Sequence, residues 1–286
     1  MRWIRQALRL TRPLCPHPCL SVGSVTDEPS ETATDGRPPE QIIDIDQIPT
    51  SSAHAFTPLK GVRQYFAAQH LWAARLMAHL CREREEQLLA EVAHGAKRRV
   101  DKHLQSLALG AVMESVAMLE AVVNEIWQDA AETEPIVASE RLQGLSSDAR
   151  ALMRDLRTQR VERSLKLMEK YAVLLTCAGK PPLDRSRRPY SDVKALIKLR
   201  NALVHFTPET QWDNQVHDLE AEMKYLVPEN PLLHGSRPWF PQQPLCAGGA
   251  RWAWESSMKF ADDWHTQMGL ERSYRYGVID WPDGLN

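Results

Sequence analysis

Apolar residues recur at helical spacing from Pro58 to about residue 270, in blocks divided by short breaks, and no hairpin-like alternation interrupts them. Leu59 to Val92 carries Val62, Tyr65, Phe66, Leu71, Leu76, Leu80 and Leu88 on a helical pattern among good helix formers, and Gly95 ends it. A second long helix is expected from about Lys97 to Glu132, with Val112, Val116, Leu119, Val123, Ile126 and Trp127 on one face. Residues 133–148, with Pro135 and Gly144, read as a connection.

Helical patterning returns from about Asp148 to Ala178 through Leu165, Leu167, Met168, Tyr171 and Leu174, and stops at Gly179-Lys180-Pro181-Pro182. An amphipathic segment from near Asp192 to Phe206 follows, closed by Thr207-Pro208-Glu209. A short helix from about Asp213 to Leu226 places Val216, Leu219, Met223 and Leu226 on one side. Residues 228–249 are Pro-rich, hold Trp239 and Phe240, and predict a structured loop. Trp252, Ala253, Ser256, Phe260 and Trp264 mark a last helix from about Ala250 to Met268, and a tail, 271–286, is expected to pack back on the body. The fold class is all-α, a helical bundle.

Residues 1–57 differ in kind. From 21 onward they are rich in Ser, Thr, Pro and acids with little apolar period, which predicts a disordered or loosely attached arm. Arg2, Arg5, Arg9 and Arg12 among Trp3, Ile4, Leu8 and Leu10 resemble a transit-peptide composition, but no convincing secretory core follows. A disordered tail or a start codon assigned too far upstream is the expectation. Cys15-Pro-His17-Pro-Cys19 offers three metal-ligand types. Prolines flank the His, however, and no second pair follows at finger spacing, so neither a metal nor a cofactor is expected.

The 286 residues are ample for a core, and a net charge of −2 gives no global basic field, so any nucleic-acid contact must come from a local patch. Five scattered cysteines form no disulfide framework and fit a reducing cytoplasm. No apolar run reads as approaching the roughly 18–20 residues that span a bilayer, so no membrane partner is expected.

The chemistry concentrates in Leu199-Arg200-Asn201-Ala202-Leu203-Val204-His205-Phe206. At about 100° per residue, Val193, Leu196, Ile197, Leu203 and Val204 form an apolar stripe with Arg200 near its centre, where a charge needs a partner. Asn201 and His205 lie one helical step apart on a flank that Lys194 and Lys198 continue. A guanidinium, an amide and an imidazole can together bind a phosphodiester and move a proton. Arg200 and His205 point about 140° apart, so they meet on one phosphate only if the Arg reaches around or a second subunit completes the site. The plainer reading makes Arg200 a structural ion-pair partner and His205 a helix cap.

Glu120 and Asn124, one turn apart on the second helix, are either solvated edge positions or hydrogen-bonding partners of Arg200, the Glu bidentately. Arg185, Arg187 and Arg188 precede the Arg200 helix. They are a solvated loop or three further cations for an anionic ligand.

Three segments resemble the HEPN superfamily (higher eukaryotes and prokaryotes nucleotide-binding domains), in particular its uncharacterised prokaryotic members. They are Ser115 to Ile126 with Glu120 and Asn124; Lys198-Leu-Arg200-Asn201-Ala-Leu-Val-His205-Phe, similar to that superfamily's Arg-to-His motif; and Cys246 to Asp262. The likeness covers roughly residues 60–270, against a helical domain delimited at 58–270. It implies a bundle that commonly dimerises, with two motif helices facing across a cleft, and in active members metal-independent RNA cleavage. Carried over, Arg200 holds the scissile phosphate, His205 acts as general base or acid, and Asn201 orients the phosphate or the His. RNA, a homodimer partner and an antitoxin or regulatory protein are the partners implied. The alternative is a non-catalytic module that binds nucleotide, RNA or protein.

Overall fold

The computed structural model describes residues 63–132, 140–210, 216–233 and 238–275. Cys15, His17, Cys19, the arm to residue 57 and the tail beyond Arg275 lie outside them. Seven α-helices and no strand occur among the described residues. They are α1 (Ala67–Ala93), α2 (Lys102–Ala131), α3 (Ser147–Thr158), α4 (Leu167–Cys177), α5 (Tyr190–Val204), α6 (Asp218–Met223) and α7 (Ala247–Met268). Single 3-10 turns cover Val161–Arg163 and Ser273–Arg275.

The all-α bundle is built around α2. Its expected stripe of Val112, Val116, Leu119, Val123, Ile126 and Trp127 is buried throughout. The start of α1 shares a core cluster with the end of α2, and the end of α1 with the start of α2, so the two run antiparallel. Helix α7 lies against both, α3 packs on α2, and α5 rests on α2 and α7. Asp101 caps α2 by accepting from Leu104 N at 2.8 Å while Arg84 holds it in a fork, and Arg84 keeps its carboxyl down at about 2.

Helix α1 departs from the expected pattern. It starts at Ala67 rather than Leu59, and its buried face is Ala67, Leu71, Ala74, Ala78, Cys81 and Leu88, while Phe66 and Leu80 face solvent. Small residues let the two long helices approach closely. At Gly110 of α2 an added Cβ would stand 2.3 Å from Met77 Sδ. The expected continuous helix from Asp148 to Ala178 is also broken. Arg160 takes a left-handed turn (φ 59°), and buried Glu162 pairs with Arg157 across it. The short helix after Pro208 covers only Asp218–Met223, which leaves Val216 exposed.

Helix α2 also corrects the expectation about apolar runs. It holds an 18-residue window of mean hydropathy 1.7, long and apolar enough to cross a membrane. Half of that window is buried inside the bundle. On the same helix Asp129 is buried, accepts from Arg63 at 2.7 Å and Tyr65 at 2.9 Å, and forms an ion pair with Arg141 at 3.0 Å. Neighbouring Glu125 accepts the backbone N–H groups of Phe66 and Ala67, which fixes the start of α1. The core closes over Tyr171 of α4, whose hydroxyl donates to Leu119 O at 2.7 Å and whose ring meets Phe260 and Trp264 edge-on. Past α7, Tyr274 is buried and donates to Asp262 at 2.5 Å.

Candidate functional site

Helix α5 is positioned by its buried residues Asp192, Val193, Ala195, Leu196 and Leu199, packed on α2 and α7. Placed at about 100° intervals, these centre the buried face between Leu199 and Leu196, away from the stripe expected from sequence. Ile197 is only half-buried and Val204, the last residue of the helix, is 51% exposed. Arg200 therefore sits at the edge of the buried face and not at its centre.

Its guanidinium reaches across to α2 and donates from Nη2 to Glu120 Oε1 at 2.9 Å. The pair joins the predicted partners through one contact, where a bidentate one was expected. The two side chains are 25% and 47% exposed, so it is a surface-edge pair. Asn124 does not join it. Its Oδ1 accepts from Lys170 Nζ of α4 at 2.9 Å.

Lys194, Lys198, Asn201 and His205 are all exposed, and the helical wheel sets them opposite the buried face of α5. What reads in sequence as a flank is the outward face of the helix. His205 is the C-cap, its backbone N–H bonded to Asn201 O at 2.9 Å. Among the described residues no side-chain hydrogen bond joins Arg200, Asn201 and His205 to one another. One chain thus presents the guanidinium on one side of α5 and the amide and imidazole on another.

The surrounding cations fall into two groups. Lys198 pairs with Glu222 of α6, and Arg188 Nε lies 3.3 Å from Asp192 Oδ1, a carboxyl that burial pushes up against the opposing pull of Arg188 and Lys259. Lys194 and Arg185 are exposed and have no ion-pair partner among the described residues, and exposed Arg187 helps to hold the carboxyl of Asp184 down.

Apolar surface that periodicity did not disclose borders His205. Val204 and Phe206 are about half exposed, and Phe206 leans on Phe240 at 6.0 Å between ring centres. His217 stacks on Phe240 at 4.9 Å, accepts from Leu219 N through Nδ1 and lies 3.1 Å from Glu209 through Nε2. Its two nitrogens are thus engaged in capping α6 and pairing with an acid. Among the described residues no group of three or more His, Cys, Asp or Glu is gathered as a metal site requires.

Comparison with family models, with curated proteins and with solved structures finds no match for this chain. The functional reading rests on the residues themselves.

Proposed function

We propose that this chain is a metal-independent endoribonuclease of HEPN type whose site is built from Arg200, Asn201 and His205 and completed across a homodimer. The observation that carries the reading is the outward face of α5, where Lys194, Lys198, Asn201 and His205 stand in one solvent-facing row, with Arg200 half-buried on a different side of the same helix. In this reading Arg200 leaves Glu120 to hold the scissile phosphate and stabilise charge developing on it. His205, which is exposed, takes the proton of the neighbouring 2′-hydroxyl or gives one to the leaving oxygen. Asn201 orients the phosphate. Attack by the 2′-hydroxyl on phosphorus forms one P–O bond, breaks the bond to the 5′-oxygen and leaves a cyclic phosphate, so DNA is not a substrate. Lys194, Lys198, Arg185, Arg187 and Arg188 supply the local positive field that a chain of net charge −2 otherwise lacks. A cytoplasmic role in defence, toxin–antitoxin biology or RNA processing, under an antitoxin or regulatory protein, belongs to the same reading.

The Arg200–Glu120 and Lys198–Glu222 pairs favour a second reading, a non-catalytic module binding nucleotide, RNA or protein, in which these cations are structural. Incubation of wild type and His205→Ala with mixed cellular RNA in EDTA separates the two. New cyclic-phosphate ends from wild type alone support the nuclease. Equal cleavage by both proteins removes His205 from the mechanism, and no cleavage by a folded wild type favours the binding module.

A further inference from the structure

The segment leading into α4 and the loop after it leave an open groove of about 510 Å³ between the start of α4 and the N-terminal half of α5. That volume is within the range of small-ligand sites. Its floor is apolar. Leu167, Met168, Val173, Leu183, Tyr190 and Ile197 are half-buried and pack against the main core, so the floor is a fixed surface. Its rim is cationic, with Lys166, Arg185 and Lys194 all exposed and without an ion-pair partner among the described residues. Glu169 is the one acid on the rim, and its carboxylate is engaged with the backbone N–H of Lys166 at 2.8 Å.

An apolar floor with free cations at its edge fits a flat, weakly polar group attached to phosphates. The groove shares helix α5 with the site described above. Ile197, on its floor, stands three residues before Arg200, about 4.5 Å along the helix axis, and Lys194 begins the outward row that ends at His205. A base lodged in the groove must be unstacked and unpaired, because duplex RNA hides its bases in the helix and offers only grooves and backbone.

We propose that this groove holds one base of single-stranded RNA against Tyr190, Met168 and Ile197, with Lys194 and Arg185 on the flanking phosphates. The inference rests on the reading of this chain as an RNA-directed protein and narrows its substrate to unpaired RNA next to the scissile phosphate.

The test uses the full chain with a labelled, unstructured 12-nucleotide RNA in EDTA, the same RNA annealed to its complement, and inorganic polyphosphate, with affinity read by fluorescence anisotropy. Ala172→Phe fills the groove without changing charge, and Leu165→Asp puts an acid at its edge. Neither Ala172 nor Leu165 belongs to the main core cluster, so either variant alone is a sufficient test if the other fails to fold. Both variants are expected to weaken binding of the single strand about tenfold. Ala172→Phe should leave polyphosphate binding unchanged, whereas Arg185→Glu with Lys194→Glu should weaken binding of both. Wild type should prefer the single strand to the duplex. Unchanged single-strand affinity in a folded groove variant overturns the proposal and leaves the groove to another occupant, such as an acidic amphipathic peptide. Equal affinity for duplex overturns it too. Groove-dependent binding without cleavage would leave the inference standing and remove the ribonuclease reading. Cleavage by both groove variants at the wild-type rate would do the reverse.

Discussion

Arg200→Ala separates the structural and chemical readings of the motif, because they predict different sizes of effect in two independent assays. The guanidinium makes one hydrogen bond to Glu120 at 2.9 Å, and the side chains are 25% and 47% exposed. A pair that wet contributes about 0–1 kcal/mol to stability. Loss of packing by the arginine stem adds a little to this. For a domain of this size each kcal/mol moves the melting temperature by about 2–4 °C, so a drop of a few degrees is expected. A truly buried pair would behave differently, since removing one partner costs about 3–5 kcal/mol. The chemical effect should be far larger. Removing a group that stabilises transition-state charge lowers kcat by about 10²–10³. Thermal unfolding followed by circular dichroism, paired with cleavage of a labelled RNA in EDTA, reads both quantities. Cleavage at the wild-type rate in Arg200→Ala refutes the catalytic role. A melting drop above about 6 °C refutes the surface-edge description of the pair. Glu120→Gln supplies the converse: it frees the guanidinium and is expected to lower KM for RNA, because phosphate no longer competes with a carboxylate.

Two predictions concern the body that carries the site. His265 is buried, bonds Ala261 O at 2.7 Å through Nδ1, and is held by burial at about 4 instead of its ordinary 6.5. Because its folded pKa is depressed, the unfolded chain binds the extra proton first as pH falls. Stability should decline between pH 6.5 and 4 by about 3 kcal/mol on this account, and urea midpoints of wild type against His265→Gln should converge over that window. Gly144 allows the backbone just before α3 to pass beside the end of α7, and an added Cβ would stand 1.8 Å from Gly269 O. Gly144→Ala must therefore shift backbone and is expected to cost about 1–3 kcal/mol in urea denaturation.

How much of this was legible in sequence depends on the type of residue that carries the packing. The α2 stripe was visible because Val, Leu, Ile and Trp dominate it, and each of its predicted residues is buried. The α1 face was not, because alanines carry it and periodicity weighs Leu80 above Ala78 although Leu80 is the exposed one. The break at Arg160 carries no Gly or Pro, and its turn is held by an Arg157–Glu162 pair that no local signal announces. Glu120 as the partner of Arg200 could be anticipated, since an inward-leaning cation needs an acid. That the contact is single and half-exposed depends on how α5 is rotated on α2, and the misassigned Val204 had turned the predicted stripe too far. Asp129 escaped notice for the opposite reason. It lies within an apolar run, and only the arrival of Arg63, Tyr65 and Arg141 from other parts of the chain explains an acid there.

The geometry of α5 decides whether one chain is enough for the proposed chemistry. Arg200 and His205 leave the helix about 140° apart, and Arg200 is turned toward α2 while His205 caps the exposed end. With Arg200 turned toward α2, a phosphate held there lies away from the imidazole of the same chain. A two-fold related copy can set the Arg of one chain opposite the His of the other, and the exposed apolar side chains of Val204 and Phe206 beside His205 suit such a contact. This makes a quantitative prediction for two inactive proteins. Arg200→Ala keeps its His, and His205→Ala keeps its Arg. When the two variants are unfolded together and refolded as an equal mixture, half of the dimers are mixed. Each mixed dimer regains one intact site of two, so activity should return to about a quarter of the wild-type value. If each site is instead built within a single chain, no combination of the variants contains a complete one and the mixture stays inactive, which would sink the shared site while leaving each residue's role to the single-variant assays.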